Sequence, residues 1–85
     1  MMAHTLFVID VTVTARADQA WRAALGATLA GGVVQVVVTP TAQPFCQSAL
    51  AQRARQTLEA FGHCCEVATP AQVESKLRQH IEVWR

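Results

Sequence analysis

Val36-Val37-Val38-Thr39-Pro40-Thr41-Ala42-Gln43-Pro44-Phe45-Cys46 is the stretch that decides the fold. A β-branched run stops at a proline, a short polar loop follows, and a second proline marks the start of a helix. Valine favours a pleated, buried strand, and proline at the first helical position costs no hydrogen bond. A strand–loop–helix junction of this kind lies at the edge where open α/β sheets hold ligands. It also predicts that Cys46 sits in the first turn of a helix, where free N–H groups and the helix dipole favour a low-pKa thiolate.

The same pattern recurs on both sides. Leu6-Phe7-Val8-Ile9 is continuously apolar, as in a strand covered on two faces, and the first strand is expected from His4 to Val13. A helix follows from Ala17 to Ala30, with Ala17, Ala20, Trp21, Ala24, Leu25 and Leu29 on one stripe and Gly31-Gly32 as its stop. The second strand spans Val33 to Thr39. The second helix spans Pro44 to Phe61, with Phe45, Ala49, Leu50, Ala54, Leu58 and Phe61 facing inward and Gly62 ending it.

Cys64 to Ala68 forms a short third strand suited to a sheet edge. Thr69-Pro70-Ala71-Gln72 reads as a capping box opening a last helix, lined by Val73, Leu77, Ile81 and Trp84. Alternating strands and helices imply a parallel sheet with right-handed crossovers. The expected fold is therefore one α/β domain over residues 1–85: a βαβαβα unit with a three-stranded parallel sheet, flavodoxin-like in order 2-1-3, and helices on both faces.

Composition narrows the function. The chain has 85 residues, 52% of them apolar and only 15% charged. That excess of apolar residues in so small a domain predicts exposed apolar surface and hence an oligomer. A net charge of +1 with scattered basic residues, Arg53 and Arg55 alternating with Gln and Ala on a solvated helix among them, argues against nucleic-acid binding. The apolar run Leu6 to Val13 is interrupted by Asp10, preceded by no Lys or Arg and too short to span a bilayer, so a strand is expected there and not a leader or a membrane span. The three cysteines, an odd number, build no disulfide framework, so a reducing, cytoplasmic setting is expected.

Several residues gather at the C-terminal edge of the expected sheet. Cys46 is the candidate thiol, and Asp10 a candidate general base. Thr12, Thr39, Thr41 and Thr69 are candidate ligand-binding hydroxyls. The competing reading makes Cys46 a small core residue beside Leu50. His63-Cys64-Cys65 begins its strand, away from that edge, and adjacent strand residues face opposite sides, so packing is the expected role. No metal-ligand spacing, phosphate loop or cofactor motif occurs, and neither metal nor cofactor is expected.

Two stretches carry a family resemblance. Met2-Ala3-His4-Thr5-Leu6 resembles the Met-x-His-Thr-Leu opening of the DsrH/TusB branch of the DsrE/DsrF/DsrH (Tus-type) sulfur-relay proteins, and Val73, His80 and Trp84 are similar to its terminal valine, histidine and tryptophan. The resemblance implies a small subunit of an oligomeric persulfide-handling complex. Its partners would be related α/β subunits and a sulfur-carrier protein. Separately, Gln43-Pro44-Phe45-Cys46 resembles the Cys-Pro-Phe-Cys motif of glutaredoxins with the first cysteine lost, which implies a degenerate thioredoxin-like domain. The remaining alternative is a non-enzymatic α/β scaffold that associates through apolar edges.

Overall fold

The computed structural model describes residues 4–79 and 82–84; Met2, Ala3, His80 and Ile81, which enter the sequence reading, lie outside them. Two apolar, largely β-branched segments form the centre. Strand β1 (His4–Ile9) and strand β2 (Val33–Val38) run parallel, with His4 beside Val33 and Ile9 beside Val38. Side chains alternate between the two faces. Phe7, Ile9, Val34, Val36 and Val38 point to one face, and Leu6, Val8 and Val37 to the other. Both sets are buried, which explains the unbroken apolar run Leu6–Ile9.

The sheet has four parallel strands among the described residues, in the order β3-β2-β1-β4. Strand β3 (Cys64–Val67) pairs with β2, and β4 (Glu82–Trp84) pairs with β1. This corrects the expected three strands in order 2-1-3. The edge position of the third strand holds, but its neighbour is β2, and the strand beside β1 comes from the end of the expected last helix. Val73, Leu77, Ile81 and Trp84 fit helical spacing, yet Glu82-Val83-Trp84 gains ladder pairing with Thr5, Leu6 and Phe7 instead. Tertiary pairing overrides local periodicity here. The Trp84 ring also stacks on Phe7, with centroids 5.6 Å apart and planes at 29°.

This order dictates where the helices lie. The first two crossovers step one way along the sheet, from β1 to β2 to β3; the third returns past both to the far side of β1. With one crossover hand throughout, reversing direction moves the connecting helix to the opposite face. Accordingly α1 (Thr14–Leu29) and α2 (Ala49–Ala60) cover one face, and α3 (Pro70–Leu77) covers the other.

Alanines set the packing distance. Ala17, Ala20 and Ala24 on α1, with Ala51 and Ala54 on α2, are buried and let the helices lie close to the sheet. Trp21 fills the space they leave and is the largest fully buried side chain. The expected inward stripes extend too far at their ends: Leu29 is 90% exposed and Phe61 77%. Helix α3 starts as the sequence predicts, with Thr69 Oγ1 accepting from the Gln72 amide and the Gln72 side chain accepting from the Thr69 amide. Its buried contact to the sheet is Val73, with Ala68 beneath it.

Candidate functional site: a thiol-lined cleft

The expected second helix is interrupted, and the interruption makes the site. Thr39 turns the chain after β2: its Oγ1 accepts from the Ala42 amide at 3.3 Å, and a short 3-10 turn follows over Gln43–Phe45. Pro44 sits in that turn rather than in α2. Ser48 adopts an extended conformation and starts α2 itself, its Oγ accepting from the Ala51 amide at 3.0 Å. The same hydroxyl donates to Asp18 Oδ1 of α1 at 2.7 Å, which ties the start of α2 to α1.

Cys46 therefore lies at the end of the short turn and ahead of the Ser48 cap, outside the first turn of α2. The expected helix-dipole assistance is missing, and the half-buried thiol titrates above its ordinary 9.0. Burial raises it most, the nearby Trp21 N–H opposes that rise by favouring the thiolate, and the Asp18 carboxylate adds to it. This overturns the expectation of an acidic thiol.

Cys46 opens into a cleft of about 390 Å³ between α1, α2 and β3. Trp21 forms its inner wall, Gln47 and Arg55 stand on the helical side, and Cys65 and Val67 come from the sheet edge. Cys65 thus lines the same cleft as Cys46 while also packing against the core, the role expected of it. Strand alternation does separate the adjacent cysteines: Cys65 packs against the α1/α2 core, while Cys64 is exposed. Burial, with the charges of Glu59 and Cys64 adding and Arg55 opposing, pushes the Cys65 thiol up to about 11. Both cleft cysteines are protonated thiols at neutral pH.

The cleft holds one unsatisfied donor. Trp21 is 2% exposed, and its Nε1–H has no hydrogen-bond partner of normal geometry among the described residues. It sits against Cys46, where it favours the thiolate. A buried donor left unpaired costs about 1–3 kcal/mol, so such groups call for an explanation.

The other expected site residues are not brought into this cleft. Asp10 and Thr12 follow β1 on the surface, and Thr41 is exposed in the loop before the short turn. The Thr39 and Thr69 hydroxyls are engaged in the turn and the α3 cap. His63 is structural, its Nδ1 accepting from the Val34 amide at 3.1 Å. Among the described residues no group of three His, Cys, Asp or Glu converges on a metal position.

A second cavity of about 370 Å³ lies beside β4, where the sheet changes winding direction, lined by Val11, Arg16, Gln19 and Trp84. The turn there runs Asp10-Val11-Thr12-Val13-Thr14 without the glycines that let a dinucleotide pyrophosphate approach the backbone. No described helix is long and apolar enough to cross a membrane. Comparison with protein-family models, with curated proteins and with solved structures finds no match to this chain.

Proposed function

We propose that this chain is a small subunit of a sulfur-handling assembly in which Cys46 carries sulfane sulfur inside the cleft. The observation that carries the reading is the meeting of Cys46, Cys65 and the unpaired Trp21 N–H around one cavity. The Cys46 thiolate attacks the terminal sulfur of a donor persulfide. A new S–S bond forms at Cys46, the donor S–S bond breaks, and the donor leaves as its thiolate. No external oxidant is consumed. A raised thiol makes loading slow at neutral pH and faster as pH rises, which suits a shielded carrier better than a rapid free nucleophile. The end-sequence resemblance to the sulfur-relay proteins supports the same reading.

Incubation with a low-molecular-weight persulfide, followed by peptide mass spectrometry, tests it. The Cys46 peptide is expected to gain one sulfur atom, with a yield that rises from pH 7 to pH 9. Loading confined to the exposed Cys64, or absent altogether, refutes the proposal.

A second reading rests on a different observation. Val83 and Trp84 on the β4 edge and Val67 on the β3 edge are 40%, 39% and 48% exposed, so both sheet edges present apolar side chains. We infer a non-enzymatic association module under this reading. Sedimentation velocity at micromolar concentration distinguishes it: a stable monomer removes the reading, and persulfide loading that survives Cys46→Ser removes the first.

A further inference from the structure

We propose that Trp21 is the anion-holding residue of the cleft, its indole N–H donating to the negative charge carried on Cys46. The charge is borne first by the thiolate and, where the sulfur-carrier reading holds, then by the terminal sulfur of the persulfide. Three observations converge on this. The indole nitrogen is buried and unpaired, which is unfavourable in the resting thiol state. The thiol is a weak acceptor, whereas a sulfur anion is a strong one. Trp21 is also packed into the α1/α2 core on the side away from the cleft, so its ring is held in place before any anion forms.

The surroundings leave this role to Trp21. The groups with charge or titratable protons nearest the cleft are Asp18 on α1, Arg55 on α2, and Cys65 and Glu66 on β3. Asp18 opposes an anion at Cys46 and accepts from Ser48. Glu66 is paired with Lys76 at 2.6 Å, and Arg55 lies 3.6 Å from Glu59. The buried indole N–H is an unpaired donor lining the same cleft as the Cys46 sulfur. Its effect has the opposite sign to that of the burial its ring provides, and this separates the two roles experimentally. A ring that only fills space keeps water from Cys46, so replacing it with a smaller one eases ionisation. A ring that donates has the reverse effect when its N–H is removed.

Two measurements on the full chain test the assignment. In Trp21→Phe, alkylation of Cys46 at pH 8, read by peptide mass spectrometry, is expected to slow by about tenfold, the low end of what one hydrogen bond to a charged group is worth. Unchanged or faster alkylation in the folded variant overturns the assignment. In the ¹⁵N-labelled native chain, the Trp21 indole N–H resonance is expected to shift downfield as pH rises, with the midpoint of the Cys46 alkylation profile, and to stay fixed in Cys46→Ser. A resonance indifferent to Cys46 overturns it even if Trp21→Phe does not fold. Failure of persulfide loading with a resonance that still follows Cys46 ionisation removes the carrier function and leaves the Trp21 assignment standing.

Discussion

Replacing Ser48 by alanine tests how the cleft is held open. One hydroxyl performs two tasks: it caps α2 through the Ala51 amide at 3.0 Å and donates to Asp18 Oδ1 at 2.7 Å. Loss of an N-cap serine costs about 1 kcal/mol. A hydrogen bond to a carboxylate is worth about 1.5–3 kcal/mol when desolvated, and partial exposure of this pair reduces that to about 1 kcal/mol. Ser48→Ala is therefore expected to lose about 2 kcal/mol in urea unfolding, as a lower midpoint at unchanged slope. Asp18→Asn keeps an acceptor and loses only the charge, costing about 0.5–1 kcal/mol. A double-mutant cycle with Ser48→Ala and Asp18→Ala separates the contact from the cap, and a coupling of about 1 kcal/mol is expected. Asp18→Asn also removes a charge that opposes the Cys46 anion, so Cys46 alkylation shifts to lower pH. A Ser48→Ala loss below about 0.5 kcal/mol together with additive single mutants refutes the reasoning.

Cys65 is held at about 11 against an ordinary 9.0, so the folded state retains this proton where the unfolded chain releases it. Stability from this group is complete below pH 9 and declines as pH rises toward 11, by about 1 kcal/mol after allowance for the half-exposed thiol; Cys65→Ser is expected to flatten that slope in urea titrations. Thr69→Ala removes the hydroxyl that accepts from the Gln72 amide, while the Thr69 N–H can still donate to the Gln72 side chain, and is expected to cost about 1 kcal/mol, read as a lower Tm; an unchanged Tm contradicts the capping assignment. Trp84→Ala removes the stack on Phe7 and is expected to cost about 1–2 kcal/mol, with faster amide exchange at Thr5–Phe7 as β4 loosens. Equal protection in the variant rules out β4 as the strand covering β1.

Much of the fold is legible along the chain because its strongest signals are local. Leu6–Ile9 and Val33–Val38 are strands by composition, and Thr69 through Gln72 announces a helix start through side-chain chemistry alone. What escapes is long-range. The position of β4 depends on the pairing of Val83 with Leu6, seventy-odd residues away, and no local period encodes it. The break before α2 was open to inspection: Ser48 is a preferred cap, but Pro44 four residues earlier offers an equally good start. The contact with Asp18 settles the choice, and it belongs to another helix. The site follows the same rule. Cys46 stood out by position, whereas Cys65 and Trp21 join it only once β3 and α1 are packed around the cleft.

The strand order has a consequence for the order of assembly. β1 is synthesised before the other described strands, but its second edge is covered by β4, the last element described. Until those residues arrive, Thr5, Leu6 and Phe7 present open amides and carbonyls on a hydrophobic strand, the arrangement most prone to pairing with another chain. Partly made or C-terminally clipped molecules should therefore be the sticky species in a preparation, and the three residues of β4 act as a closure against that hazard out of proportion to their length.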